Sequence, residues 1–337
     1  MAKITNGNNL TGNANGTLNG KPAEYNNPVI PVGFKTSNEG ASWSLSSDGT
    51  YVTGWNEGLV IQDGSGNQFV WVPIHNQAVI ENGKTIPAVS YEKWTSSKNG
   101  APTASNTTND SLPSGVQNEE TQITTYKGFY IARYEAGIPT DDSNLTAGLT
   151  TASIDARNKT GKPVSKKNQI PWNYIDYTIS KANAESMYTS GHVKSGLVTG
   201  SQWDATMKWL EKSSVDVQSN SRSWGNYYDA AVTGITEYST DCGASWTTVS
   251  STTKGISTQW LLKTGNTDYT SRKDIYDLAG NLWEWTNEIY SSNCVIRGGY
   301  HGSYFGGGAR YPAASRDSYS INTARYDTGF RCVLYIQ

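Results

Sequence analysis

Apolar residues recur with a period of two through much of the chain, the signature of half-buried strands. "GLVIQDGSGNQFVWVPI" (58–74) sets two apolar runs either side of Asp63, Gly64, Ser65, Gly66 and Asn67, and such a break between strand-like runs predicts a hairpin. "GFYIARYEAG" (128–137) reads as another strand, with Phe129 and Ile131 on one face and Tyr130, Ala132 and Tyr134 on the other. "DIYDLAGNLWEWTNE" (274–288) is dense in core-type aromatics, and "CVIRGG" (294–299) is strand-like. In "GFRCVLYIQ" (329–337), Phe330, Cys332, Leu334 and Ile336 alternate with Arg331, Val333 and Tyr335.

A helical period replaces this pattern twice. "DYTISKANAESMYTS" (176–190) carries Ile179, Ala182 and Met187 on roughly one face. "TGSQWDATMKWLEKS" (199–213) opens with Thr199 and Gln202 in a capping-box pattern, followed by an apolar stripe of Trp203, Met207 and Leu210. Residues 97–122 are a polar insertion expected to form an exposed loop, and 234–257 an inserted hairpin or loop. Residues 1–28 are rich in Asn and Gly without periodicity, so they are expected to be flexible or ordered only against a partner or neighbouring subunit. Apolar content begins with "NPVIPVGFK" (27–35). Two helices, mostly antiparallel strands and long loops make an α+β fold.

Composition narrows the function. Apolar residues make up 36% of 337, but 12 Trp and 21 Tyr supply large buried areas. A net charge of −2 gives no electrostatic footprint for nucleic acid. No apolar run is long enough to span a membrane, and the N-terminus lacks the apolar core of a Sec signal peptide. Cys242, Cys294 and Cys332 form no disulfide framework, and His75, His192 and His301 have no zinc-type spacing.

The stretches "GFYIARYE", "KPVSKKNQIPWNYIDYTISKANAES", "GLVTGSQWDATMKWL", "IYDLAGNLWEWTNE", "VIRGG" and "GFRCV" occur in an order that resembles the sulfatase-modifying, or formylglycine-generating enzyme, family, a variant of the C-type lectin fold. The resemblance covers roughly 58–337, leaving 1–57 as an expected attachment or assembly segment. It implies that the segment between "RGG" and "GFR" lies on a binding face. It also implies where catalysis would sit: the family's two copper-binding cysteines fall on Ser303 and Gly308, neither of which can supply a thiolate. An iron-dependent oxidative branch of the family needs a histidine cluster that three scattered histidines do not supply. The chain is therefore expected not to be an enzyme. A metal-dependent oxidase of the same fold and a glycan-binding lectin are the alternatives. Relatives carrying the matching "GN.WEW" stretch bind calcium there, which implies a structural calcium at Asp277, Glu284 and the carbonyls of Gly280 and Leu282.

Residues 300–328 contain no Lys, Glu, Gln, Trp or Met, types that make up roughly one residue in six of the whole chain. These five share a property: none can be reached from an Asn codon, AAC or AAT, by changing adenines alone. The Tyr, Ser, His, Asp, Phe, Arg, Gly, Thr, Ala and Ile that fill the segment all can. In this the chain resembles the variable proteins of diversity-generating retroelements, whose C-terminal region is rewritten by adenine-mutagenic reverse transcription. Tyr gives stiff amphipathic contact area, and Ser, Gly, Asn and Asp give adaptable polar contacts, the mixture antibody paratopes use. The residues expected on the displayed face are Tyr300, His301, Ser303, Tyr304, Phe305, Arg310, Tyr311, Asp317, Tyr319, Asn322, Arg325, Tyr326 and Asp327, with Tyr304, Tyr311, Arg325 and Tyr326 as hot-spot candidates. Arg297, Pro312, Arg316 and Arg331 read as scaffold. The expected partner is a cell-surface protein or glycan receptor. A virion or prophage structural protein fits this reading, as does a cell-surface protein, with 1–57 serving assembly or homo-oligomer formation.

Overall fold

The computed structural model describes residues 23–37, 52–81, 83–94, 102–189, 191–303 and 311–337, together with the short strands Ile4–Thr5, Asn9–Leu10 and Ser44–Leu45. Two sheets organise the chain. The larger runs Val193–Leu197, Cys332–Ile336, Gly128–Ala132, Gln68–Pro73, Val60–Asp63 and Phe34–Thr36, every neighbour antiparallel. The second runs Thr108–Asn109, Trp283–Tyr290, Asn293–Arg297 and Arg316–Ser320, with Thr328–Phe330 added parallel to Trp283–Tyr290.

The period-two pattern has a direct structural meaning. Phe69, Trp71, Tyr130, Leu334 and Ile336 enter one apolar cluster, which also takes Trp283, Trp285 and Ile296 from the second sheet. Val70, Val72, Phe129, Ile131, Val333 and Tyr335 enter another on the opposite face, against Trp203, Met207 and Leu210 of the helix Gly200–Glu211. The larger sheet is thus buried on both sides. Its alternation sorts residues between two cores rather than between core and water.

The C-terminal run divides at Arg331: Thr328–Phe330 belongs to the second sheet and Cys332–Ile336 to the first. The hairpins at 60–73 and at 232–254 form as expected, and Thr199 and Gln202 make a reciprocal capping box.

Three expectations need correction. The domain does not begin at residue 58. Val29, Ile30 and Phe34 lie in the core, Phe34–Thr36 is a sheet strand and Trp55 is buried, so 23–57 contributes to the fold wherever it is described. Any attachment role is left to residues before 23, of which only the paired strands Ile4–Thr5 and Asn9–Leu10 are described.

The polar insertion is not simply a loop. Its residues 97–101 lie outside the described set, but Thr107 is buried and Glu119–Tyr126 is a helix, capped by Asn118 Oδ1 accepting from the Thr121 amide at 2.7 Å. Two further short helices, Thr146–Thr150 and Ile154–Arg157, were not anticipated.

The helix found within 176–190, Tyr177–Ser186, buries Tyr177, Ser180, Asn183 and Ala184 and leaves Ala182 exposed. The polar Asn183 is inside because its side chain accepts from the Gly161 amide and donates to the Lys159 carbonyl. Within 300–328, Arg316–Ser320 is a strand at the end of the second sheet.

Candidate functional face

The face is built outward from the turn after Arg297. Gly298 and Gly299 sit at φ 90° and 79°. A Cβ on Gly299 would lie 2.7 Å from Tyr227 Cε1 and 2.8 Å from the Tyr311 carbonyl, so only glycine serves there. Beneath the turn is a buried ionic hub. Arg297 and Arg316 both donate to Asp204, and Arg297 also reaches Glu288 at 3.4 Å. Lys93 and Thr107 bond Glu288 from the other side, at 3.2 and 2.6 Å. Burial alone would raise the Glu288 carboxyl, but Arg297, Arg316 and Lys93 outweigh it and hold it below its ordinary value.

The segment is also anchored in its middle. The Ala313 amide donates to Ser221 Oγ at 3.0 Å, Trp203 Nε1 donates to the Ala313 carbonyl at 2.9 Å, and the Ala314 amide donates to the Val217 carbonyl at 2.9 Å. Arg297, Pro312, Arg316 and Arg331 are all buried, as scaffold residues should be. Arg331 places its guanidinium on both oxygens of Glu284 and on the carbonyls of Ala132 and Tyr276.

The thirteen expected contact residues fall into three groups. Tyr304, Phe305 and Arg310 lie outside the described residues, as does Gly308. Tyr300, Tyr311, Asp317, Tyr319 and Arg325 are half-buried, and Asn322 and Tyr326 are exposed, Tyr326 at 37%. His301, Ser303 and Asp327 are buried, which corrects their placement on the surface.

Each buried residue has a local duty. His301 Nδ1 donates to the Asn281 carbonyl at 2.7 Å, which fixes the tautomer, and burial pulls the imidazole down to about 4. Ser303 Oγ accepts from the Tyr300 amide at 3.1 Å, closing a turn. Asp327 receives Arg325 through both oxygens, at 2.8 and 2.7 Å.

The half-buried and exposed groups come together. The Arg325 guanidinium lies 4.2 Å from the Tyr319 ring centroid, Tyr300 and Tyr326 meet edge to face at 6.2 Å, and Tyr311 packs on Trp283 at 5.0 Å. The pattern of missing residue types could not reveal the groups behind this face. Asn173 Nδ2 donates to the carbonyls of Tyr326 and Cys242, at 2.8 and 2.9 Å, and the Tyr174 amide donates to the Arg325 carbonyl at 2.8 Å.

The implied calcium donors do not fit that ion in this arrangement. Both oxygens of Glu284 face the Arg331 cation. Asp277 accepts from Thr270 Oγ1 at 2.7 Å and from the Gly265 amide at 2.8 Å. No group of three or more metal-ligating side chains converges among the described residues.

Two sheets with short helices and a C-terminal strand closing back across the larger sheet make this a C-type-lectin-like fold of the formylglycine-enzyme type. The Sulfatase-modifying factor enzyme 1-like domain matches residues 88–336, and the chain belongs to that family. No curated protein matches it. Among solved structures, the crystal structure of CarF aligns with a TM-score of 0.39 at 15% identity, covering 69% of this chain and 97% of that one. Treponema denticola variable protein 1 aligns with a TM-score of 0.37 at 13% identity, covering 80% and 96% respectively. Both likenesses are distant, and the family match carries the assignment. No helix among the described residues is long and apolar enough to cross a membrane.

Proposed function

We propose that this chain is a hypervariable binding protein that displays residues of 300–328 to a receptor, a protein on the surface of a host or neighbouring cell. One observation carries the reading. The backbone of the segment is held by buried groups at its start, middle and end, while Tyr300, Tyr311, Tyr319, Asn322, Arg325 and Tyr326 reach solvent from it. Substitution of the exposed Asn322 and Tyr326 disturbs little of the interior, whereas Tyr300, Tyr311 and Tyr319 also pack against the core and Arg325 answers Asp327, so the scaffold tolerates change best at the side chains that project furthest. The missing residue types then follow from targeted change at adenines. The oxidase alternative is weaker, because Ser303 holds a turn and its hydroxyl is no thiolate.

Sequencing the locus tests the diversification. The expected result is a reverse transcriptase gene and a near-copy of the final coding segment, with the two copies differing at adenines. A locus with neither removes that part of the proposal. A virion or prophage setting is favoured if phage structural genes flank it.

A further inference from the structure

We infer that the binding face has a second, constant wall, formed by Tyr174 and the Asp241–Cys242 tip of the 232–254 hairpin, and that this wall takes a basic side chain of the protein partner. The inference rests on the binding reading above and extends it to residues outside 300–328.

Asn173 joins the two walls. It is fully buried, and its one amide nitrogen holds both the Tyr326 carbonyl of the displayed segment and the Cys242 carbonyl of the hairpin tip. Arg157 fixes that amide from behind. It donates to Asn173 Oδ1, to the Gly243 carbonyl at 2.7 Å and to the Gly148 carbonyl at 2.7 Å, and it is itself buried. The hairpin tip therefore cannot drift from Tyr326 without breaking this chain of bonds.

Tyr174 is strained. Its φ of 56° lies in the left-handed region, where an aromatic residue is uncommon and a glycine would be relaxed. The ring is half-exposed, and its hydroxyl is within electrostatic reach of Cys242, the buried Arg157 cation, Tyr326 and Asp241. Strain held at a solvent-facing ring points to a use for that ring.

The charge at this corner decides the partner. Arg325 is already answered by Asp327 and by the Tyr319 ring. Asp241 is exposed, and its carboxylate is oriented by the Ser239 hydroxyl at 2.7 Å, the Ser245 amide at 2.9 Å and the Ser245 hydroxyl at 2.6 Å. Those groups orient the carboxylate without cancelling its charge, and the Arg157 cation that also feels it lies buried behind the wall, bonded to Asn173 and to the Gly148 and Gly243 carbonyls rather than to Asp241. An anion set beside tyrosine rings is complementary to a Lys or Arg side chain, whose stem packs on the rings while its head reaches the carboxylate. A neutral glycan has no charge to offer it.

The test uses the full chain, immobilised, and peptides selected on it from a displayed random library and then synthesised. Affinities are measured by calorimetry for the parent and for Tyr174→Gly, Asp241→Asn and Tyr326→Ala. Tyr174→Gly relieves the backbone strain, so an unchanged or raised Tm separates loss of contact from loss of fold. The expected result is that selected peptides carry Lys or Arg, that each substitution weakens binding by about tenfold or more, and that bound peptide slows iodoacetamide at Cys242. If Tyr326→Ala abolishes binding while Tyr174→Gly and Asp241→Asn stay within about twofold and Cys242 reacts unchanged, the second wall is refuted and the displayed face stands. If no selected peptide depends on any of the three positions, both readings fall.

Discussion

Arg331→Met tests whether the scaffold beneath the face is held by charge. Arg331 is fully buried where the chain passes from one sheet to the other, and methionine roughly keeps its volume. The substitution leaves Glu284, also buried, without the cation that now touches both its oxygens. Breaking a buried pair from one side costs about 3–5 kcal/mol. The carbonyls of Ala132 and Tyr276 lose a donor each, at about 1 kcal/mol apiece. A loss of about 5 kcal/mol is expected, a large share of the roughly 5–15 kcal/mol that holds a typical domain.

Urea unfolding followed by tryptophan fluorescence reads this loss, since Trp283 and Trp285 flank Glu284. The double variant Glu284→Gln/Arg331→Met should recover much of it, because the stranded charge is gone. The pH dependence has a definite sign. Burial raises the Glu284 carboxyl, and the lost cation can only raise it further. A group raised on folding contributes stability below its unfolded value and loses it as pH rises through the folded one. The deficit of Arg331→Met should therefore shrink on acidification from neutral pH. A loss below about 1 kcal/mol with an unchanged denaturant slope, or a double variant no better than the single, would refute the reasoning.

Three further outcomes are expected. The His301 imidazole, pulled from 6.5 to about 4 by burial, contributes stability that is present above 6.5 and lost as pH falls through about 4. His301→Gln should remove up to about 3 kcal/mol of this acid limb in urea midpoints, and an unaltered limb would count against it. Burial pushes the thiols of Cys294 and Cys332 up to about 12 and raises the Cys242 thiol as well, but only Cys242 is half-exposed and within reach of a reagent. Iodoacetamide on the native chain should therefore give one adduct by mass, at Cys242, and reaction at either of the others would show the cores to be open. Arg325→Ala should cost about 2 kcal/mol, since Arg325 is partly in solvent but Asp327 is not, while Tyr326→Ala and Asn322→Ser each stay under about 1 kcal/mol in the same unfolding assay.

The strands were legible as short continuous apolar runs, because Phe69 and Trp71 enter one core and Val70 and Val72 the other. The Thr199 cap was legible because its two partners are three residues apart. Long-range polar partners leave no such mark. Nothing in "PWNY" tells that Asn173 will hold Tyr326, 153 residues away, or that Arg157 will reach Gly243. The helices Thr146–Thr150 and Ile154–Arg157 are too short to show a period, and Glu119–Tyr126 buries no residue fully, so it has no apolar stripe to find. Its signal was the Asn118 cap followed by Glu119 and Glu120 in the first turn.

Exposure along 300–328 is uneven, and this limits what a diversified segment can change. Tyr326 and Asn322 reach solvent and can be replaced one at a time. His301 and Ser303 are inside and bonded to the turn, so a change there alters the backbone that presents the neighbouring side chains. Arg325 and Asp327 form a third case. The carboxylate of Asp327 is buried and receives both bonds from a partly exposed guanidinium that also lies on Tyr319, so loss of Arg325 strands Asp327, while loss of Asp327 leaves a guanidinium that water can still reach. Under the diversification proposed above, adenine-directed change would strike codons independently, yet these two positions are tied energetically. If the segment is diversified as proposed, folded sister copies that lose Arg325 should therefore also lose Asp327, while position 326 varies without regard to either.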